Sequence, residues 1–135
     1  MNLAQILHHR WAAAEPLNEL LPAERVFTGT SVVPDMPLAV IAPTRAKPAV
    51  QFADGAGLDT VGVSIDVYDP SYDASQAVLE AVKAAFDRIS FDLAGGARVL
   101  YMRRTADHAR QEPDGTWRTT IEFDCTVLVK KAVQC

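Results

Sequence analysis

The sequence predicts an α+β fold: a mainly antiparallel sheet of about four to six strands, two helices packed on one of its faces, and a long C-terminal β-hairpin. Three observations carry this. From Trp117 to Val129 the residues Trp117, Thr119, Ile121, Phe123, Cys125, Val127 and Val129 alternate with Arg118, Thr120, Glu122, Asp124, Thr126 and Leu128. Strict alternation over that length puts one face of a strand in a core and the other in water. A second alternation, Val61, Val63, Ile65 and Val67 against Gly62, Ser64, Asp66 and Tyr68, marks another half-buried strand. Between Asp73 and Ile89, by contrast, Ala74, Ala77, Val78, Ala81, Val82, Ala85, Phe86 and Ile89 recur three and four apart, the spacing of one helical face. Strands in runs, with helices set apart from them, favour antiparallel pairing over strict strand–helix alternation.

The elements follow in order. Leu3, Ile6, Leu7, Trp11 and Ala14 form the stripe of an amphipathic first helix. Pro16 interrupts it, because its ring clashes with the preceding turn, and suits the first position of a short turn through Leu17–Leu21 that Pro22 closes. Arg25-Val26-Phe27 reads as a short strand ending at Gly29, and Val33-Pro34-Asp35-Met36-Pro37 as turn chemistry. Leu38 to Ala42 is a continuous apolar run, suited to a strand buried on both faces. Over residues 44–59 the pattern weakens. Pro48 removes a ladder donor and Asp54-Gly55-Ala56-Gly57 is permissive, so the segment reads either as a flexible loop or arm, or as the tip of a second hairpin. Asp73 is the expected N-cap of the second helix, with Gln76 completing a capping-box-like pair. Ser75, Gln76, Glu80, Lys83, Asp87 and Arg88 cover that helix's outer side. Gly95-Gly96 turns into a strand from Arg98 to Arg104, and Asp114-Gly115 forms the tip of the closing hairpin.

Length and composition fit one domain over residues 1–135, with 49% hydrophobic and 22% charged residues. A net charge of −4 argues against a protein that grips nucleic acid through its phosphates. No basic segment followed by an apolar run opens the chain, and no stretch reaches the ~20 apolar residues of a membrane span. The expectations are therefore no membrane, no specific nucleic-acid binding and a reduced, cytoplasmic compartment. Two cysteines are too few for a disulfide framework, and Cys125, on the apolar face of its strand, reads as a small buried hydrophobe. At roughly 3.4 Å per residue the Trp117–Val129 strand spans on the order of 45 Å. A compact domain of this size has a radius of gyration of only about 14 Å. Part of the strand is thus expected to project past its own core and to need a neighbour.

Several groups of residues carry side chains that chemistry could use. His8-His9 are helical neighbours pointing about 100° apart, so they cannot chelate one ion together. Asp66, Asp69 and Asp73 form a carboxylate cluster around a strand-to-helix turn, and oxygen-rich clusters suit Ca²⁺ or Mg²⁺. The glycine and terminal glutamate of a calcium loop are missing there, however, and turn-and-cap chemistry accounts for the same residues. Asp54-Gly55-Ala56-Gly57 lacks the Lys-Ser/Thr of a phosphate loop. Arg98, Arg103, Arg104, His108, Arg110 and Arg118 give the last hairpin a basic stripe, for which three readings stand: charge-guarded sheet edges, a salt-bridge surface for a neighbouring subunit, or nucleic-acid contact. No Ser, His or Asp stands in a nucleophile-elbow or triad-like context. No catalytic, cofactor-binding or metal-binding residue is assigned, and the chain reads as non-enzymatic.

The order of features resembles a family. A leading helix precedes the short strand Glu24-Arg25-Val26-Phe27-Thr28-Gly29, and a proline-marked entry leads into Asp35-Met36-Pro37-Leu38-Ala39-Val40-Ile41. The strand Val63-Ser64-Ile65-Asp66-Val67-Tyr68-Asp69 then runs into the Ala-rich helix Ala77–Phe86, and a long hairpin closes the chain. This layout is similar to that of the tail-completion (tail-terminator) proteins of long-tailed bacteriophages and their prophage relatives. The resemblance implies a structural protein without an active site or cofactor. It further implies hexameric rings of identical subunits that cap the tail tube and meet the head-side connector, first in the cytoplasm during assembly and then in the virion tail. The loop Thr44–Asp59 and the hairpin tip Arg110–Thr116 would then reach a neighbouring subunit or the tube. The alternative is a small-molecule- or divalent-cation-binding α+β domain, or an enzyme of unknown type, with a pocket between the sheet and the Asp73–Ile89 helix. Another head–tail joining component of the same particle is a third reading.

Overall fold

The structure, a computed structural model, describes residues 2–30 and 35–129. The opening of the turn expected over Val33–Pro37 and the terminal Cys135 lie outside them. Helix α1 (Leu3–Ala13) starts at a reciprocal capping box: the Gln5 N–H donates to the Asn2 side chain and the Asn2 N–H to the Gln5 side chain. The chain breaks before Pro16, and α2 (Glu15–Leu20) restarts with that proline in its first turn, where no N–H is needed. A 3₁₀ turn, Ala23–Arg25, leads into β1 (Val26–Thr28).

Four long strands follow: β2 (Leu38–Gln51), β3 (Gly57–Asp69), β5 (Arg98–Gln111) and β6 (Trp117–Val129). Helix α3 (Tyr72–Phe86) and the short β4 (Ile89–Asp92) separate β3 from β5. The six strands form one sheet in the order β1-β2-β3-β6-β5-β4, antiparallel except for the β1–β2 pair. The α+β class, the mainly antiparallel sheet and the C-terminal hairpin are as the sequence predicts.

Of the two readings of residues 44–59, the hairpin describes the structure. β2 runs to Gln51, β3 starts at Gly57, and the Phe52 N–H closes the tip on the Ala56 carbonyl at 2.8 Å. The prolines that blur the pattern are tolerated because, among the described residues, β1 pairs with β2 only at Ala39–Ile41, leaving the rest of β2 as an open edge, and the register shifts next to Pro43 and Pro48. The expected projecting arm is corrected. β6 pairs with β3 at every residue from Trp117 (opposite Asp69) to Val129 (opposite Gly57), and β5 runs along its other side. Its length is matched by its neighbours; among the described residues, what lacks cover is one face.

Helix α3 is also shifted from expectation. Its N-cap is Ser71, not Asp73: the Ser71 hydroxyl accepts from the Ala74 N–H at 3.2 Å, and Asp73 sits in the first turn, where its charge suits the helix dipole. The buried face is Ser75, Val78, Leu79, Val82 and Phe86, while Ala74 and Ala77 are exposed. Burying Leu79 removes far more apolar area from water than burying an alanine, so the larger side chains set the rotation of the helix. Ser75 tolerates burial because its hydroxyl donates to the Tyr72 carbonyl (2.7 Å) and lies 3.2 Å from the Thr119 hydroxyl. Ile89 does not extend the helical stripe. Arg88, at φ 64°, turns the chain, and Ile89 begins β4 opposite Met102. Four residues are too few for an alternation to be read, so the sequence concealed β4. β5 outruns its expected end at Arg104 because β6 offers it a full-length partner.

The core lies between the helices and one face of the sheet. Leu7, Trp11, Leu17 and Leu21 meet Val78, Leu79, Val82 and Phe86 of α3, and both sets cover Ile41, Val63, Ile65, Val67, Val99, Met102, Ile121, Phe123 and Cys125. Burial, with a contribution from Asp124, pushes the Cys125 thiol up to about 12. An unfolded thiol ionises near the ordinary 9.0, so only the unfolded chain gains thiolate between those values. The stability contributed by the neutral thiol is therefore lost as pH rises from about 9 toward 12. We expect the melting temperature to fall more steeply over that range in the parent than in Cys125→Ala. On a Cys135→Ser background, iodoacetamide at pH 8 should leave the native protein unmodified and label one thiol after denaturation; rapid native labelling would contradict the burial.

Candidate functional site on the uncovered sheet face

The even-numbered residues of β3 and β6 point away from the helices. Pairing aligns them with β2 and β5 in rows that cross four strands: Arg45–Gly62–Asp124–Arg103, then Lys47–Thr60–Thr126–Tyr101, then Val50–Leu58–Leu128–Arg98. Gly62 is required in the first of these. The β2 bulge turns Thr44 toward it, and a Cβ there would run into the Thr44 hydroxyl.

The other half of the same face is organised by Asp66. Its carboxylate accepts from the Thr120 hydroxyl at 2.5 Å and from the Arg118 guanidinium at 3.3 Å, and Arg118 lies 5.6 Å from the Tyr68 ring centre. Burial first, then the Asp66 charge, pushes the Tyr68 hydroxyl up. Burial alone would lower Arg118, but the hydrogen bond to Asp66 together with the charges of Asp66, Tyr68 and Glu112 outweighs it and holds Arg118 above its ordinary value. The arrangement is a brace across β3 and β6, in which the buried Arg118 Nε has no hydrogen-bond partner among the described residues. An open groove of about 390 Å³ beside it is lined by Met36, Leu38, Val40, Ala42 and Tyr68 with Asp66 and Arg118.

The carboxylates grouped by sequence do not converge. Asp66 is engaged by Arg118 and Thr120, the Asp69 carboxylate accepts from the Ser71 N–H at 2.8 Å, and Asp73 is exposed on α3. Among the described residues no group of three His, Cys, Asp or Glu side chains is placed to hold a metal ion. His8 donates from Nε2 to the Ala23 carbonyl at 2.9 Å, tying α1 to the turn before β1. The space between α3 and the sheet is filled by Val78, Leu79, Val82 and Phe86.

The basic stripe is largely met from within the chain. Arg98 pairs with Asp92, Arg104 with Asp107, and Arg110 and Arg118 with Glu112. Arg103 faces the uncovered side and Arg104 the other, as strand alternation requires. Two rows depart from balance among the described residues: Arg45 and Arg103 share the single carboxylate of Asp124, each at 3.9 Å, and Lys47 stands in the next row without a carboxylate. Arg45 and Lys47 were not grouped with the stripe from sequence, because Pro43, Pro48 and two register shifts hide the parity of β2.

The sequence matches the family described as Tail completion protein gp17 over residues 5–128. No curated protein matches it. Among solved structures, a chain from the "Virion of native gene transfer agent (GTA) particle" superposes with a TM-score of 0.75 at 16% identity, covering 93% of this chain and 94% of that one. At that identity the likeness establishes a shared fold.

Proposed function

Because this chain belongs to the tail completion protein gp17 family, we propose that it is a non-enzymatic structural subunit that closes the tail of a phage-like particle as a ring of identical copies. The ring, a hexamer, caps the tail tube and presents its other side to the head-side connector. It forms in the cytoplasm and remains in the virion tail, with residues 1–135 acting as one domain and no cofactor or metal taking part.

The observation that supports the ring is the bare sheet face. Four strands about 4.8 Å apart and roughly 45 Å long offer on the order of 800 Å², close to the area each partner contributes to a standard interface. In the ring reading a neighbour meets the bare face with a different surface from its helix layer, and heterologous contacts of that kind give a ring when the rotation between copies closes. The edges themselves are less suited to strand addition. The open part of β2 carries Pro43, Pro48, Arg45 and Lys47, and that of β5 carries Arg103 and Arg104, all devices that discourage edge pairing. The ring is therefore expected to be joined through faces and hairpin tips.

Sedimentation of the purified protein across a concentration series, alone and with tail-tube protein, tests the reading. A ring-sized species that binds the tube is expected. A strict monomer at high concentration that ignores the tube would overturn it, and a ring that binds only connector protein would favour a different joining role.

A further inference from the structure

We propose that the ring contact is made between the basic half of the uncovered sheet face of one copy and the acidic outer surface of α2 in the next copy. The proposal rests on the ring reading above and specifies which two surfaces meet.

The first surface is unusual for an acidic chain. Its three rows place Arg45, Lys47, Arg98 and Arg103 on one face, with Asp124 between two of them. Arg98 is balanced by Asp92, and Lys47 has no carboxylate partner among the described residues. Within these rows three cations, Arg45, Lys47 and Arg103, therefore stand against the one carboxylate of Asp124, with Glu122 in the adjoining row beside Arg45. Exposed apolar groups lie among them: Val50 at 46%, Tyr101 at 42%, and Phe52 at 47% on the hairpin tip. A surplus of positive charge around exposed apolar and aromatic side chains is the composition of an interface with a polar rim, not that of a solvated face.

The second surface lies in the helix layer. α2 turns Leu17 into the core and leaves Glu15, Pro16, Glu19 and Leu20 exposed, Leu20 at 49%. Glu24, on the following turn, is exposed as well. None of Glu15, Glu19 and Glu24 has a cationic partner among the described residues. Each surface thus carries unbalanced charge of opposite sign beside an exposed apolar side chain. One belongs to the sheet's bare side and the other to the helix layer, so a copy can offer both at once and the contact propagates head to tail. Charge complementarity of this kind fixes partner choice and register.

The test uses two double variants of the full chain. Arg45→Glu with Lys47→Glu makes the sheet surface acidic, and Glu15→Lys with Glu19→Lys makes the α2 surface basic. All substituted positions are exposed, so each variant should keep the parent's melting temperature, which is the check on folding. Alone, each sets like charges face to face and is expected to weaken self-association at least tenfold. Mixed in equal amounts, they should assemble again, since every sheet surface then meets an α2 surface of opposite charge. A single chain carrying all four changes should also assemble. If the parent forms a ring and either double variant assembles like it, or if folded variants fail to recover on mixing and in the fourfold chain, this contact is wrong while the ring stands. If the parent never associates, the ring reading falls and the contact with it.

Discussion

Phe123→Asp is expected to abolish cooperative folding. Phe123 is 1% exposed at the centre of β6, opposite Val63 on one side and Arg104 on the other. Its core-facing side chain belongs to the cluster that also holds Ile65, Ile121 and Phe86. Removing a buried phenylalanine costs about 3–5 kcal/mol through lost transfer energy and the cavity left behind. A carboxyl group placed there would add the cost of an unpaired polar group, about 1–3 kcal/mol if it is taken up neutral. The sum rivals the whole stability of an ordinary domain, about 5–15 kcal/mol. Phe123→Leu keeps the face apolar and loses only part of the ring volume, so it should cost well under the aspartate change. Urea unfolding followed by circular dichroism reads both. If the aspartate variant unfolds at the parent's midpoint, the inward facing of β6 is wrong.

Trp11→Ala is the second large effect. The indole is fully buried, 6.3 Å from the Phe86 ring centre, and its Nε1–H donates to the Leu21 carbonyl at 2.8 Å. That one side chain joins α1, the end of α2 and the last turn of α3. Truncation should cost about 3–5 kcal/mol for the lost volume, and leaving the buried Leu21 carbonyl without a donor adds about 1–3 kcal/mol. Trp11→Phe separates the two contributions, since it retains a ring and removes only the donor along with some volume. It should fall well short of the alanine loss. Hydrogen exchange should show protection lost first in α1 and α2 while the β3–β6 pairing stays protected. Equal losses for the two variants would mean that the hydrogen bond, not the packing, dominates.

The strands were legible wherever a strict two-residue alternation ran uninterrupted. In β6 and β3 each residue faces either helices or solvent, so Ile121, Phe123, Cys125, Val63, Ile65 and Val67 could be placed in the core in advance. The same logic failed in β2, where prolines and register shifts break the count, and in β4, which is too short to show a period. In α3 the stripe was right in kind but rotated. Alanines satisfy a helical pattern without deciding which way the helix faces, and the Ser71 cap lies two residues ahead of the expected one. The carboxylates near the β3–α3 turn looked like a group because they are close in sequence. Strand alternation and the helix start send them in different directions.

By itself, then, the chain determined its class, its main core and the side of each regular strand that would be buried, because those depend on local periodicity. It also carried the layout by which it resembles its family. Tertiary structure alone decided that β6 lies in the middle of the sheet and which face the three helices leave bare. It also brought Arg45 into one row with Asp124 and Arg103, and set Lys47 in the next row and Arg98 in the one beyond. Those positions are more than fifty residues apart in the chain. Only strand pairing, whose register is set by packing across the whole sheet, could make them neighbours.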